Sequence, residues 1–155
     1  MNSTRIWREH CLIDILADAE DVNEAMQDQS LDLVKRLSAT TVVLPVQVLG
    51  ELFYLLVRKA GRTPSDARNA VLHWRNAFNN LTDTSAEVLL AAVDLAQSKV
   101  SFWDAVILSA AAESGCQMLL SEDMQDGFVW KGVTVINPFQ KPHPPMLEAI
   151  LDPVS

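Results

Sequence analysis

Short apolar segments alternate with longer helical segments along this chain, and this alternation constrains the fold more than any other feature. Four segments are short, apolar and partly β-branched, as buried strands are: Cys11–Leu16, Thr41–Leu44, Gln117–Leu120 and Val133–Ile136. Apolar residues at helical spacing predict helices at about 22–38, 45–60, 63–78, 84–95 and 102–113. Helices between short strands imply crossover connections, and hence an α/β fold with a parallel sheet covered on both faces. Binding sites in such sheets form at the carboxyl ends of the strands.

Helix starts are marked by residues that suit them. Pro45 fits the first position of the helix at 45–60, where a missing N–H costs nothing. Thr63 precedes Pro64 and Asp66, which is a helix cap pattern. Ser101 stands three residues before Asp104, the spacing of a capping box.

The chain has 155 residues, which is the size of one domain. No apolar run approaches the ~20 residues of a membrane helix, and the polar N-terminus does not resemble a signal peptide. We therefore expect a cytoplasmic protein with no membrane contact.

Five of the seven prolines lie in residues 138–155. This composition predicts a domain at 1–139 and a proline-rich tail at 140–155 that lies on the surface or is partly disordered.

Three acidic residues lie in apolar surroundings where packing does not explain them: Glu51, Asp104 and Asp123. Buried carboxylates are costly unless they are paired or bind a metal, and hard divalent cations prefer oxygen ligands. Each residue also has a structural explanation. Glu51 can pair with Arg58 across helix turns, Asp104 can serve the capping box, and Asp123 can belong to an ordinary turn ended by Gly127.

Cysteine and histidine give no sign of another metal site. Cys11 and Cys116 are too few for a disulfide framework and lie among apolar residues, which predicts buried thiols. The three histidines are scattered without zinc-ligand spacing.

The net charge of −8 argues against general nucleic-acid binding, but basic residues are concentrated in one region. Residues 58–75 contain five of the twelve basic residues and only one acid, Asp66. These bases are either solvated helix ends or a local face that binds phosphate.

Three segments together resemble the PIN-domain family, and in particular the VapC-type toxins of bacterial toxin–antitoxin pairs: Gln47–Phe53, Ser101–Ile107 and Leu119–Gly127. The resemblance runs from about residue 21 to residue 139. It implies a three-layer α/β/α sandwich with a central parallel sheet of about four to five strands. Glu51, Asp104 and Asp123 fall on three of the family's four catalytic, metal-binding acids. Ser121 falls on a supporting hydroxyl, and Glu122 and Asp126 are candidate accessory acids.

The first motif of the family is degenerate in this chain. The family places an Asp at the end of the first strand, and alignment of the following residues puts Leu12 at that position. A shift of two residues makes Asp14 the catalytic and metal-binding residue, and Asp18 is a weaker candidate.

The resemblance implies an endoribonuclease that hydrolyses RNA with Mg²⁺ or Mn²⁺, binds a VapB-like antitoxin and forms a homodimer. Four residues of the basic region would bind the RNA backbone: Arg58, Lys59, Arg62 and Arg68. Trp103 is interpreted as a core residue, with stacking on a base as the alternative. The degenerate first motif leaves a second hypothesis, an impaired PIN-like module that binds an antitoxin or another partner without efficient cleavage. A small-molecule α/β enzyme is disfavoured because no glycine-rich phosphate loop is present.

Overall fold

The structure is a computed structural model that describes residues 11–14, 16, 20, 24–37, 42–78, 80–98 and 100–151. For residues 11–14 only the backbone is described. Six helices occur in these ranges: α1 Glu24–Arg36, α2 Val46–Arg58, α3 Pro64–Ala77, α4 Ala86–Leu95, α5 Phe102–Glu113 and α6 Pro145–Glu148. Six strands accompany them: β1 Cys11–Asp14, β2 Val42–Pro45, β3 Asn80–Thr82, β4 Met118–Ser121, β5 Val129–Trp130 and β6 Val133–Ile136.

The strands form a single sheet in the order β3-β2-β1-β4-β6-β5. The first five strands of that order run parallel, whereas β5 pairs antiparallel with β6 at one edge. The expected parallel sheet of four to five strands is thus confirmed, with a two-residue antiparallel edge added. The strand β1 lies between β2 and β4, so its carboxyl end is at the middle of the sheet edge.

The capping signals in the sequence are confirmed at α3 and α5, and α4 has a cap of the same kind. The side-chain oxygens of Thr63, Ser85 and Ser101 accept hydrogen bonds from backbone N–H groups three residues later. Pro45 differs from the prediction, because it is extended (φ −76°, ψ 140°) and is the last residue of β2. The helix α2 therefore begins at Val46, directly at the edge of the sheet.

Helix α5 forms the centre of the packing. Every residue from 105 to 111 is buried, and the helix contacts β1, β2, β4 and β6. Helix α4 packs beside α5, and α3 packs beside α2, which completes a three-layer α/β/α sandwich. Within the described ranges, no helix is long and apolar enough to span a membrane.

The C-terminal segment differs from the surface tail that its prolines predicted. Leu147 in α6 is completely buried, and Leu151 is buried and forms a β-bridge with Leu37. The ring of His143 hydrogen-bonds with the Glu148 carboxylate and the Pro138 carbonyl, each at 2.8 Å. Residues up to Leu151 therefore contribute to the same core as the rest of the domain.

Candidate metal-binding and nuclease site

Glu51 is held at the sheet edge by the buried face of α2. Val48, Leu49, Leu52 and Leu56 are buried on that face, while Glu51 is half-buried beside it. Because α2 starts immediately after β2, Glu51 lies in the second turn of the helix, close to the carboxyl ends of the strands. The side chain of Gln47, one turn earlier, hydrogen-bonds with the Glu51 carboxylate.

Asp104 is placed by the cap of α5. The Ser101 hydroxyl accepts a hydrogen bond from the Asp104 N–H at 3.3 Å, which fixes the first turn of the helix. The helix N-terminus carries partial positive charge, which favours a carboxylate there. The capping explanation for Asp104 is therefore confirmed for its backbone. Its half-buried side chain is available for a second role.

Asp123 lies in the turn that follows β4. The buried Ser121 hydroxyl accepts a hydrogen bond from the Met124 N–H at 3.4 Å and so closes this turn. Glu122 is half-buried and Asp123 is exposed. Asp126, a candidate accessory acid, accepts a hydrogen bond from the Asn137 N–H at 2.8 Å. Asp126 therefore has a structural contact that holds the loop to the end of β6.

The three predicted acids affect one another electrostatically. Burial raises the pKa of Glu51, the Gln47 hydrogen bond lowers it, and the charges of Asp104 and Asp123 raise it further. Burial also raises the pKa of Asp123, as do Glu122 and Asp104, while the Lys59 ammonium lowers it. Since α2, α5 and the β4 turn each supply one of these carboxylates, the fold brings together residues that are 19 to 72 positions apart in sequence.

These residues fit a hard divalent cation by their chemistry. All three offer carboxylate oxygens. Burial, followed by the charges of neighbouring carboxylates, raises the pKa of Glu51 and of Asp123. Within the described ranges, however, no three Asp, Glu, His or Cys side chains are grouped tightly enough to hold a metal ion. A tighter set of ligands requires a further acid or movement of these side chains.

The backbone of β1 favours Asp14 over Leu12 as the position of the further acid. Asp14 is the last residue of β1 and pairs in register with Ser121 at the end of β4. Leu12 instead pairs with Val43 and Leu119, within the sheet. Asp14 thus stands at the sheet edge where the other acids are found. The Asp14 side chain and the whole of Asp18 lie outside the described residues.

The four predicted RNA-binding residues differ in their surroundings. Lys59 and Arg68 are exposed, and the Arg58 guanidinium lies 5.8 Å from the centre of the Tyr54 ring. Arg62 instead forms a 2.9 Å ion pair with Glu20, whose carboxylate also accepts a hydrogen bond from the Trp74 indole N–H. Arg62 therefore ties Glu20 to the α2–α3 connection.

Two cavities flank the acids. One, of about 550 Å³, is lined by Gln47, Gly50, Glu51, Tyr54, Leu55 and Trp103. The other, of about 440 Å³, includes Asp104 and Asp123 in its lining.

Trp103 is 56% exposed, so the interpretation of Trp103 as a core residue was wrong. The sequence reasoning also missed Tyr54, whose position three residues after Glu51 on α2 was the available signal.

The thiol prediction is confirmed for Cys116. Its side chain is buried, and burial raises its pKa to about 12. The side chain of Cys11 lies outside the described residues.

Comparisons with known proteins agree with this architecture. Residues 10–125 match the model of the PIN domain. No curated protein matches the chain in sequence. Among solved structures, the chain is similar to the Mycobacterium tuberculosis toxin VapC20, described as cleaving the sarcin-ricin loop. The TM-score is 0.61 at 19% identity, covering 73% of this chain and 91% of the other.

Two further structures show the same fold. FitAcB from Neisseria gonorrhoeae aligns with a TM-score of 0.59 at 16% identity, covering 83% of this chain and 98% of the other. DNA-bound VapBC from Salmonella typhimurium aligns with a TM-score of 0.55 at 13% identity, covering 81% and 96%. Because the PIN-domain model spans well over half of the chain, this protein belongs to the PIN-domain family.

Proposed function

We propose that this protein is a metal-dependent endoribonuclease of the VapC toxin type that hydrolyses RNA phosphodiester bonds. The observation that carries the proposal is the electrostatic grouping of Glu51, Asp104 and Asp123 at the carboxyl edge of the parallel sheet. Family membership supports it, as does the fold shared with VapC20, a toxin described as cleaving the sarcin-ricin loop.

In the proposed mechanism, Glu51, Asp104, Asp123 and Asp14 would hold Mg²⁺ or Mn²⁺. When bound, the metal ion lowers the pKa of a water molecule and stabilises negative charge on the phosphate. The chain's own residues position the RNA. The Lys59 ammonium, whose charge lowers the pKa of Asp123, binds a phosphate oxygen beside the acids. The Ser121 hydroxyl holds the turn that carries Asp123.

Partners follow from the same family relationship. VapBC and FitAcB structures share this fold, which supports a VapB-like antitoxin as the partner of this chain. A homodimer in the cytoplasm is part of the same proposal. The RNA backbone contacts are assigned to Arg58, Lys59 and Arg68. Arg62 is left out because its guanidinium is paired with Glu20.

The second candidate is the impaired binding module, and a specific observation favours it. The described carboxylates do not by themselves form a metal-binding group, and the first motif of the family is degenerate. In this case the protein would bind its partner without cleaving RNA.

Substitution of one acid separates the two candidates. Asp104→Asn is expected to abolish Mg²⁺-dependent cleavage of an RNA pool without changing the circular dichroism spectrum. Asp83→Asn, an exposed acid in the β3–α4 connection, is the matched control and is expected to cleave like wild type. Equal cleavage by Asp104→Asn would refute the assigned site. A folded wild-type protein that cleaves no RNA with Mg²⁺ or Mn²⁺, yet still binds its partner, would support the binding module instead.

A further inference from the structure

The cavity beside Glu51 has properties that metal binding does not require. We call it the aromatic cleft, and it is lined by Gln47, Gly50, Glu51, Tyr54, Leu55 and Trp103. Its volume of about 550 Å³ is typical of sites for small organic groups. Tyr54 and Trp103 are 59% and 56% exposed, so two large aromatic side chains border this opening from two different helices.

Gly50 leaves space in this cleft that the fold itself does not need. A glycine inside a helix is less stabilising than alanine at the same position. A Cβ atom added at Gly50 would meet nothing within 4 Å in the described structure, so packing does not explain the glycine. Glycine at such a position permits close approach of a ligand to the helix backbone.

The polar groups of the cleft define what can enter it. Glu51 carries negative charge at one side, which disfavours a phosphate there. An apolar peptide side chain would leave the carboxylate of Glu51 and the amide of Gln47 without new partners. A nucleobase offers an aromatic face together with N–H and carbonyl groups at its edge. Arg58, positioned over the Tyr54 ring, adds a cation where the RNA backbone would continue.

We propose that the aromatic cleft binds one unpaired nucleobase of the RNA substrate, stacked on Trp103, beside the bond that is cleaved. This assignment rests on the proposed ribonuclease function, since it places the base next to Glu51. It makes Trp103 and Gly50 determinants of substrate choice and restricts the enzyme to RNA with an unpaired base at this position. A base within a duplex cannot present its face to the indole ring.

Binding to cleavage-deficient protein tests the assignment. Fluorescein-labelled twelve-nucleotide RNAs, one homopolymer of each base, are titrated into Asp104→Asn protein in the presence of Mg²⁺. The added substitution Trp103→Ala is expected to weaken binding by roughly 5- to 150-fold, which corresponds to the ~1–3 kcal/mol of one base–aromatic stack. An abasic ribose-phosphate oligomer of equal length is expected to bind both proteins equally weakly. Phe53→Ala, which removes a 40% exposed aromatic from a neighbouring groove, is the matched control and is expected to change binding less than twofold.

Gly50→Ala separates a binding role from a structural one. Its melting temperature is expected to equal or exceed that of the parent, because the added methyl group meets no neighbour. Its RNA affinity is expected to fall, because the methyl group takes up space along the lining of the cleft. Parental RNA affinity in both Trp103→Ala and Gly50→Ala would overturn the proposal. An equal loss for the abasic oligomer would also overturn it, because the contact would then be to the backbone.

Two outcomes separate this inference from the proposed function. Base-dependent binding through Trp103 without metal-dependent cleavage by wild type would support the cleft and refute the nuclease. Cleavage by wild type with no effect of Trp103→Ala would support the nuclease and refute the cleft. Normal RNA binding with lost affinity for a VapB-like antitoxin would assign the cleft to a protein partner and overturn the proposal.

Discussion

Glu51 is less stable as a charged group in this protein than it is in water. Burial raises its pKa above 4.5, and Asp104 and Asp123 add to this effect. An acid whose folded-state pKa is raised destabilises the folded state at neutral pH, and this penalty disappears as the pH falls through the folded pKa. We therefore predict that Glu51→Gln raises the melting temperature in EDTA at pH 7 by at most about 2–4 °C, since partial exposure limits the gain to roughly 1 kcal/mol.

The same measurement at lower pH provides an internal check. The difference between Glu51→Gln and wild type is expected to shrink as the pH is lowered, because the wild-type side chain becomes protonated and the penalty for its charge disappears. Glu87→Gln, an exposed acid in the first turn of α4, gives no gain, because that position favours a negative charge. A lower melting temperature for Glu51→Gln at pH 7 would show that Glu51 is stabilised by a contact rather than strained by its neighbours.

Individual residues were predictable where their chemistry was unusual for their surroundings. Carboxylates in apolar segments drew attention to Glu51, Asp104 and Asp123, whose role as metal ligands stays a prediction. The exposure of Trp103 and the ion pair of Arg62 were not predictable in this way. An indole beside apolar residues suits a core as well as a cleft, and only the position of α5 leaves Trp103 exposed. The Arg62 ion pair depends on Glu20, 42 residues earlier in the chain.

At the level of elements, one serine links helix stability to the site. The Ser101 hydroxyl caps α5 through the Asp104 N–H, and the Ser85 hydroxyl caps α4 through the Val88 N–H. Each Ser→Ala substitution is expected to lower the free energy of unfolding by about 1 kcal/mol, measured by urea denaturation. Only Ser101→Ala is expected to lower the cleavage rate as well, because it frees the turn that orients Asp104.

Ser85→Ala is a close control for this experiment, since it removes the same kind of cap from the helix that packs beside α5. Equal cleavage rates in the two variants would mean that the first turn of α5 is held by packing and not by its cap.

Helices were easier to predict than the shortest strands. Cap residues and apolar spacing identified α2 to α5 closely, because these signals are local. The strands β3 and β5 were not predicted, since Asn80–Thr82 and Val129–Trp130 are too short to show a pattern. Both exist because a longer neighbour, β2 or β6, offers free backbone groups. The burial of Leu147 was likewise not predicted, because the prolines of its segment indicated a surface tail.

At the level of the whole molecule, the site is a product of strand order. The sheet places β1 between β2, which leads into α2 with Glu51, and β4, which leads into the turn with Asp123. Helix α5 contacts strands on both sides of β1 and carries Asp104 in its first turn. The sequence predicted the parallel sheet and drew attention to the acids. The pairing of Asp14 with Ser121 could not be predicted, because it depends on the register between β1 and β4. If the three acids bind a metal ion as proposed, the end of β1 is the expected position of a fourth ligand.

Metal-dependent stabilisation tests which residue completes the site. A metal that binds only the folded state stabilises it by roughly 1.4 kcal/mol at ten times its Kd. We therefore predict that Mg²⁺ or Mn²⁺ at that concentration raises the wild-type melting temperature by about 3–6 °C. Asp14→Asn is expected to lose most of this shift, as is Asp123→Asn, whereas Asp18→Asn keeps it. A shift that persists in Asp14→Asn and vanishes in Asp18→Asn would move the fourth ligand to Asp18. The absence of any shift in wild-type protein would favour the binding module. Without a bound metal ion, no positive charge would offset the repulsion between the three carboxylates and the phosphodiester group of RNA.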